Sequence, residues 1–250
     1  MEKLHVADGI IQYMFPPEPG KHFGFNIVVL LDEEAKRALL IDTAFEKQAA
    51  AVHADLRADG IELEGVVISH FHPDHVMGLL ALPHVPIYGS ERFEETVRHY
   101  TEEEERRRFT PTNPVSDDNR LVFGAFDLGF RLAPGHSPCS MHTLIGDRFV
   151  HVADNIMTSN TGGDILPWAA FDLIEDHIES LKMLYEYDER VLLLSHGVVL
   201  DAKETVRDAI LNRVRYFDAV RTGDGKISYE EATEACTCDF LHKEWLIRND

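Results

Sequence analysis

Cysteine, basic residues and long apolar runs are all scarce in this sequence. Three of the 250 residues are cysteine, and Cys236 and Cys238 lie too close together for an ordinary disulfide bridge. Cysteine usage this sparse is typical of a reducing compartment. The first residues, MEKLHVADGI, lack the basic-then-apolar pattern of a secretory signal. Together these features predict a cytoplasmic protein.

Positive charge is scarcer than negative charge. The 24 lysines and arginines oppose 44 aspartates and glutamates, which gives a formal net charge of −20 at pH 7. A field of this sign repels phosphate backbones and anionic lipid surfaces, and no apolar run reaches the roughly 20 residues that span a bilayer. We therefore expect a small-molecule substrate, and neither nucleic acid nor a membrane as a partner.

Hydrophobic residues make up 44% of the chain, which is enough for the core of one domain, 1–250. Apolar runs bounded by turn signals predict strands at 26–31, 37–42, 66–69, 85–88, 121–133 (a pair), 141–145, 148–153 and 191–195. The first two strands, joined by a short polar turn, predict a hairpin. Apolar positions at Ala49, Val52 and Leu56 predict a helix that begins near Phe45 and stops at Gly60.

Three further helical segments are predicted. Segment 91–108 carries the run EEEERRR, which indicates a solvated helix face with ion pairs at i, i+4, namely Glu102–Arg106, Glu103–Arg107 and Glu104–Arg108. Segment 172–187 begins with Asp172 and Glu175 at capping-box spacing. The tail 203–250 is predicted to be an amphipathic helical extension, with a turn around Asp224, that forms either a homodimer surface or a cover for the domain.

The densest group of chemically active side chains is SHFHPDH at residues 69–75, directly after an apolar strand. In an extended turn His70 and His72 project to the same side, so both imidazoles can reach one ion, while Asp74 and His75 turn toward a second ion. Pro73 stiffens that corner. Imidazole and carboxylate without thiolate suit zinc, but also iron, manganese or cobalt.

Other metal-competent side chains also come directly after predicted strands: Asp42, His136, Asp154 and His196. A strand end is a rigid platform, so donors at several strand ends on one sheet edge can converge on a metal. Isolated histidines lack such placement. We expect each of these to be a surface or hydrogen-bonded residue: His5, His53, His84, His99, His177 and His242.

In these motifs the sequence resembles the metallo-β-lactamase-fold hydrolases, over about residues 20–200. The resemblance implies an α+β four-layer αββα sandwich with a dinuclear metal centre at one edge of two sheets. It implies a first ion held by His70, His72 and His136, and a second held by Asp74, His75 and His196, with Asp154 bridging the two. Asp42 would orient a ligand histidine.

The resemblance also implies a chemistry. Two divalent ions, zinc as the first expectation with iron or manganese as alternatives, would lower the pKa of a shared water and supply a bridging hydroxide at neutral pH. Asp74 is the expected catalytic residue, because the corresponding aspartate in hydrolytic relatives relays a proton to the leaving group. The predicted activity is hydrolysis of an ester, lactone, thioester or related bond.

Within the family, APGHSP at 133–138 is similar to a segment of the hydroxyacylglutathione hydrolase and acyl-homoserine lactonase branches. Asn155, Ile156 and Met157 stand where lactonases commonly carry a tyrosine, and the glutathione-binding domain of the thioester hydrolase has no recognisable counterpart. Two alternatives stay open: a mononuclear iron enzyme similar to persulfide dioxygenases, and a non-catalytic ligand sensor on the same fold.

The predicted substrate wall consists of segment 155–171 and an early turn. Its candidate substrate-binding residues are His22, Phe23, Trp168 and Phe171, of which the last two could equally be core residues that anchor the following helix. Cys139, three residues after His136, is expected to be a small buried thiol.

Overall fold

Two β-sheets lie face to face, and helices cover the outer face of each. This is the four-layer αββα sandwich that the sequence predicts. The computed structural model describes residues 1–241, so the end of the predicted extension, 242–250, and with it His242, lies outside the described residues. Among the helices of residues 1–241, none combines the length and the apolar character that a bilayer-spanning segment needs.

The first sheet has seven strands that are neighbours in chain order. They are β1 (Glu2–Ala7), β2 (Ile10–Met14), β3 (Asn26–Asp32), β4 (Arg37–Ile41), β5 (Glu62–Ile68), β6 (Ile87–Ser90) and β7 (Asn113–Val115). Strands β1 to β4 pair antiparallel, which includes the predicted hairpin of β3 and β4. Strands β4 to β7 pair parallel, so β4 and β5 end at the same edge.

The second sheet has five strands in the order β14, β11, β10, β9, β8, and a separate two-stranded ribbon joins β12 to β13. Their bounds are β8 (Arg120–Phe123), β9 (Phe126–Leu132), β10 (Met141–Ile145), β11 (Phe149–His151), β12 (Met157–Thr158), β13 (Asp164–Ile165) and β14 (Val191–Leu193). Strands β11 and β14 run parallel, so both end at one edge.

The helices are α1 (Glu46–Ala58), α2 (Pro73–Val76), α3 (Glu94–Val97), α4 (Glu103–Arg106), α5 (Ile174–Met183), α6 (Lys203–Thr222) and α7 (Tyr229–Thr233). Short 3₁₀ segments occupy Met77–Ala81, Phe171–Leu173 and Leu184–Tyr187. The predicted helix from Phe45 is confirmed as α1, which buries Ala49, Val52 and Leu56. Gly60 follows it with φ +69°, a conformation that glycine adopts freely.

Three hydrophobic clusters separate the four layers. Val28 of β3 belongs to the cluster between the sheets, together with Phe130 of β9. The next residue, Val29, belongs to the cluster under α1, together with Val52. The outer face of the second sheet packs in the same way against α5 and α6. Since both faces of each central strand are buried, its sequence is a continuous apolar run.

The predicted long helix over 91–108 is wrong. The structure has two short helices there, α3 and α4, and none of the three predicted Glu–Arg ion pairs forms within the described chain. The chain leaves the helical path after Val97, where the Thr101 hydroxyl donates to the Val97 carbonyl, and Glu102 begins α4 in an extended conformation. With only four residues, α4 is too short to align charges over successive turns.

The predicted capping box at Asp172 and Glu175 is also wrong. A 3₁₀ turn, Phe171–Leu173, precedes α5, and Leu173 at the start of α5 makes no side-chain capping bond within the described chain. A capping box does occur in the tail, where Ser228 and Glu231 bond reciprocally at the start of α7. The segment around Asp224 is a turn between helices, as predicted.

A fully buried arginine of α6 binds the two-stranded ribbon of β12 and β13. Arg213 of α6 is 0% exposed, and its guanidinium donates to the carbonyls of Met157 and Ile165 and to the carboxylate of Asp164. A buried guanidinium is stable only when such acceptors surround it. Arg213 therefore holds the β12–β13 ribbon against α6.

Replacing Arg213 by methionine should lower the free energy of unfolding by about 3 kcal/mol, because buried carbonyls and Asp164 lose their donor. Urea denaturation followed by circular dichroism measures this change. Arg215→Met, two residues along the same helix, is the matched control and should change stability by less than about 0.5 kcal/mol. Equal stability of the two variants would contradict the role assigned to Arg213.

Candidate metal centre

The two sheets are joined at the edge where β4, β5, β11 and β14 end. The backbone N–H of Asn26 donates to the Ser195 carbonyl at 2.8 Å, and that of Met141 donates to the Ser69 carbonyl at 2.9 Å. Ser69 follows the first-sheet strand β5, and Ser195 lies just beyond the second-sheet strand β14. We call this junction of the two sheets, where Asn26 bonds to Ser195 and Met141 to Ser69, the seam. Polar side chains after these strands face one another across it.

The SHFHPDH motif turns sharply at this edge. β5 ends at Ile68, and the next turn leads into α2, which begins at Pro73, where a missing N–H is harmless. His72 is extended at the start of α2, with φ −74° and ψ 155°, as expected of a residue before proline. The change from extended to helical backbone directs His72 and His75 to different parts of the edge.

The structure brings all seven predicted ligand residues together, in three overlapping groups whose candidate ligand atoms lie within 4.8 Å of one another. The groups are His70, His72 and His136; His70, His75 and Asp154; and Asp74, His75 and His196. The first and last groups are the two ion-binding sets that the family resemblance implies. The middle group contains Asp154, the residue expected to bridge.

In the first group, three ring nitrogens converge. His72 Nδ1 lies 3.1 Å from His70 Nε2 and 2.9 Å from His136 Nε2. Nitrogens that share a tetrahedral ion at about 2.1 Å are separated by roughly 3.4 Å. The three rings thus surround a space of the right size for one cation.

Asp154 lies between the two outer groups. Its Oδ2 is 3.4 Å from His136 Nε2 and 3.3 Å from His196 Nε2, and its Oδ1 is 3.6 Å from His75 Nε2. Asp74 Oδ2 approaches the same His196 Nε2 at 3.4 Å. The Asp154 carboxylate therefore faces both outer groups, whereas the Asp74 carboxylate faces only the group that contains His196.

The opposite ring nitrogen of four histidines is fixed by an outer partner, which determines the tautomer. The pairs are His70 Nδ1 with Ser69 Oγ, His75 Nδ1 with Asp42, His136 Nδ1 with the Trp168 carbonyl, and His196 Nδ1 with the Gly24 carbonyl. A neutral imidazole that donates from Nδ1 leaves its Nε2 lone pair for a metal.

The donor set fits divalent cations. Within the described chain the buried atoms His75 Nε2, His196 Nε2 and Asp154 Oδ1 have no hydrogen-bond partner of acceptable geometry. Buried polar atoms are rarely left unpaired unless they bind a ligand, an ion or water. All donors are imidazole nitrogens or carboxylate oxygens, which suit zinc, iron or manganese.

Asp42 lies behind the three groups and contacts His75, one of their members. Its Oδ2 accepts hydrogen bonds from His75 Nδ1 at 2.8 Å, from Ser69 Oγ at 2.7 Å and from Ser195 Oγ at 3.0 Å. Its Oδ1 accepts the Ser69 N–H at 2.8 Å. The buried carboxylate thereby orients His75 and receives donors from both sheets.

The backbone is strained beside the site. Asp42 has φ +61° and Ala153, directly before Asp154, has φ +51°. Left-handed backbone at residues other than glycine costs of the order of 1 kcal/mol or more each and persists only where the surroundings impose it. At Asp42 and Ala153 this conformation turns the chain that follows β4 and β11 toward the sheet edge where the three groups lie.

The electrostatics differ between the two outer groups. Burial and the neighbouring His136 lower the pKa of His72 to about 3, so its ring is neutral and competent to bind a metal. Burial also disfavours charge on His196, but Asp154 and Asp74 outweigh it and raise the pKa of His196 to about 10. Burial alone would raise the pKa of Asp154, but His196 and His75 outweigh burial and hold this pKa well below its usual range. The carboxylates thus attract positive charge to the second group.

Several supporting residues escaped sequence analysis. Ser69 and Ser195 were not predicted, although each directly precedes a predicted ligand histidine, and this shared Ser-His pattern at two strand ends is a usable signal. The carbonyls of Gly24 and Trp168 carry no side-chain signal. His177 was expected at the surface or hydrogen-bonded, but it is fully buried, neither ring nitrogen has a partner within residues 1–241, and its ring packs against Phe217.

The four candidate residues of the predicted substrate wall lie in different environments. Trp168 is 46% exposed and lines a cavity beside His72 and His136, whereas Phe171 packs against the hydrophobic cluster under α5 and does not line that cavity. The Phe23 ring lies 4.8 Å from the His196 ring, and His22 is exposed next to it. Phe171 is thus the one of the four whose position favours a core role.

Cys139 is a small buried thiol, as predicted. Its Sγ accepts the Phe71 N–H at 3.4 Å and donates to Thr96 Oγ1 at 3.1 Å. Burial raises the pKa of this thiol, so it remains protonated and belongs to the packing behind the motif.

Asp42→Asn should weaken zinc binding by roughly 10- to 100-fold, because His75 loses its anionic acceptor. Asparagine tolerates left-handed backbone, so the substitution separates the charge from the strain at this position. Competition with a chromophoric chelator at pH 7 measures the affinity, and Asp127→Asn, an exposed residue of β9, is the control. Unaltered zinc affinity in folded Asp42→Asn protein would contradict the supporting role.

Comparisons with known proteins agree with this geometry. A protein of Bacillus subtilis (strain 168), the uncharacterised protein YobT, is 27% identical over 212 residues, which is 74% of this chain and 90% of that protein. A metallo-beta-lactamase from Pontibacter korlensis superposes with a TM-score of 0.65 at 16% identity, covering 84% of this chain and 99% of that one.

The inverting sec-alkylsulfatase Pisa1 from Pseudomonas sp. superposes with a TM-score of 0.69 at 15% identity, and the match covers 98% of this chain but only 47% of that larger protein. At such identities the solved structures show a shared fold. A family model for the metallo-beta-lactamase superfamily matches residues 23–196. The chain belongs to the metallo-beta-lactamase superfamily.

Proposed function

We propose that the protein is a dinuclear metal-dependent hydrolase that cleaves an ester, lactone, thioester or related bond in a small molecule. The observation that carries the proposal is the set of three overlapping His/Asp groups at one sheet edge, with ligand atoms within 4.8 Å of one another. A single ion would need only one of these groups. The middle group shares His70 with the first group and His75 with the last, and such an overlap favours two adjacent ions.

The ligand roles follow from the positions of the donors. His70, His72 and His136 would hold the first cation, and Asp74, His75 and His196 the second, with Asp154 facing both. Zinc is the first choice, since imidazole and carboxylate donors suit it. When bound, divalent cations lower the pKa of water toward neutrality and polarise a carbonyl or phosphoryl oxygen.

Asp74 is the group with the best access to a substrate proton. Its side chain is 27% exposed, whereas those of Asp154 and Asp42 are 5% and 1% exposed. The Asp74 carboxylate faces His196 on one side and a cavity of about 290 Å³ on the other. It would take the proton of the attacking water and deliver it to the leaving group.

Aromatic rings surround that proton path. Phe23, Phe25 and Phe45 line the cavity beside Asp74, and the Phe25 and Phe45 rings meet edge to face at 5.2 Å. An apolar wall keeps bulk water away from the reacting bond and strengthens the interactions of nearby charges. A small substrate is also consistent with the net charge of −20, which disfavours nucleic acid.

Metal analysis together with turnover tests the proposal. Protein purified without added metal, and then loaded with zinc or manganese, is assayed for bound metal and for hydrolysis of a generic ester, lactone, thioester and phosphodiester. Two cations per chain with hydrolysis of one of these classes is the expected result. One iron per chain with oxygen consumption on a thiol persulfide, or ligand binding without turnover, would contradict it.

His72→Ala and Asp154→Ala should each lose metal and activity together, because each removes a donor that faces a cation. Mass spectrometry measures the bound metal, and initial rates measure the activity, both normalised to folded protein. Activity should fall by about 100-fold or more, as for other changes at metal sites. His84→Ala and Asp127→Ala, both exposed, are the matched controls. Normal metal content with normal turnover in either site variant would show the ligand assignment to be wrong.

A further inference from the structure

A second cavity adjoins the site, and none of its lining residues in 1–241 lines the cavity beside Asp74. It encloses about 570 Å³ and has His72 and His136 at its inner end. Thr96 and Arg98, from the segment of α3, and Trp168, from the loop after β13, form its walls. This volume is in the range of pockets that bind small molecules. A substrate held at the two histidines would therefore extend into this cavity.

The charges of the cavity are unevenly satisfied. Glu95, one lining carboxylate, is held by Arg92 through two hydrogen bonds of 2.9 and 3.0 Å. Asp172, the other lining carboxylate, lies just before α5, whose N-terminal end carries partial positive charge that offsets it. Arg98 is exposed, and within residues 1–241 its guanidinium forms no hydrogen bond or ion pair, although its charge helps to lower the pKa of the neighbouring Glu95, which Arg92 already holds. Within the described chain, the guanidinium of Arg98 is thus the cation of the cavity wall that no carboxylate bonds directly.

The aromatic walls suit a substrate that lies flat along the cavity. Tyr100 is 51% exposed, and its ring meets the His72 ring edge to face at 5.5 Å. Trp168 is half exposed on the other wall, while its carbonyl holds His136. Pockets for small molecules are lined mainly by apolar and aromatic side chains with a few polar groups that fix orientation, and Tyr100, Trp168 and Arg98 provide both kinds here.

On the basis of the proposed hydrolase function, we infer that the substrate carries an anionic group, such as a carboxylate, that enters this cavity and pairs with Arg98 while the scissile bond lies at His72 and His136. Arg98 is then the residue that sets substrate charge preference. It is well suited to the role, because a guanidinium binds carboxylate, sulfate or phosphate oxygens with two parallel hydrogen bonds.

The net charge of the chain makes this pairing selective. At −20 the protein repels anions at a distance, so an anionic substrate must gain locally what it loses on approach. Moderate salt screens this long-range repulsion.

Two series of 4-nitrophenyl esters test the inference with zinc-loaded protein. One series consists of the half-esters of glutarate to suberate, which end in a carboxylate, and the other of neutral alkanoate esters of matched length. The wild type should show the higher kcat/KM for at least one half-ester over its neutral match. In Arg98→Met that ratio should fall about tenfold, through KM, as expected for loss of one charge-assisted pair.

Arg98→Lys should retain part of the preference, since it keeps the charge without the planar fork. Arg107→Met, an exposed arginine at the end of α4 outside the cavity, is the matched control and should keep the wild-type ratio. Hydrolysis of both series with a ratio that Arg98→Met leaves unaltered would overturn the inference while leaving the hydrolase proposal intact.

If zinc-loaded protein hydrolyses neither series, the ester activity in the proposed function is contradicted, and binding decides the inference separately. The chain has two tryptophans, so Trp245→Phe leaves Trp168 as the reporter in the cavity wall. Adipate should then alter the fluorescence saturably, with a dissociation constant about tenfold higher in the Arg98→Met background. Equal affinity for adipate with and without Arg98 would overturn the inference.

Discussion

The buried carboxylate of Asp42 is the constraint on which the site depends. It accepts one hydrogen bond from the backbone after β5 and others from Ser69, His75 and Ser195, so that donors from both sheets meet on one side chain. A carboxylate with fewer partners could not stay ionised in such a place, since burial alone strongly favours the neutral form. The arrangement converts the seam between the sheets into a fixed reference for the ligand histidines.

The histidines are then held by different kinds of outer partner. Ser69, Asp42 and two backbone carbonyls each fix one ring. Because Ser69 also donates to Asp42, His70 and His75 share one support, whereas His136 and His196 have separate ones. The carbonyl partners have a further effect. The loop that lines the cavity beside His136 also orients His136 through the Trp168 carbonyl, so a change in that loop alters the cavity and the position of His136 together.

Local signals predicted most of the strands, the first helix and the polar residues at the strand ends, whereas the αββα sandwich was implied by the family resemblance. Buried strands with both faces covered are continuous apolar runs, the helix from Phe45 has its stripe at Ala49, Val52 and Leu56, and the ligands stand directly after strands. Two failures have different causes. The run EEEERRR favours a helix by itself, but the chain leaves the helical path where the Thr101 hydroxyl bonds locally to the Val97 carbonyl. The ring of His177 packs against Phe217 of a different helix, a contact that its neighbours in sequence do not reveal. Backbone carbonyl partners such as that of Gly24 leave no trace in side-chain patterns.

The hydrogen bonds that cross the seam have a consequence for the lifetime of the folded chain. Asn26 bonds to Ser195 and Ser69 to Met141, so the edge exists only after segments distant in sequence have docked. The metal donors span the same distance, and an unfolded or half-docked chain cannot gather them. Cations bound at this edge would therefore stabilise the folded state more than the transition state for folding. They would slow unfolding more than they speed folding, and protein loaded with metal would resist proteolysis for longer than metal-free protein.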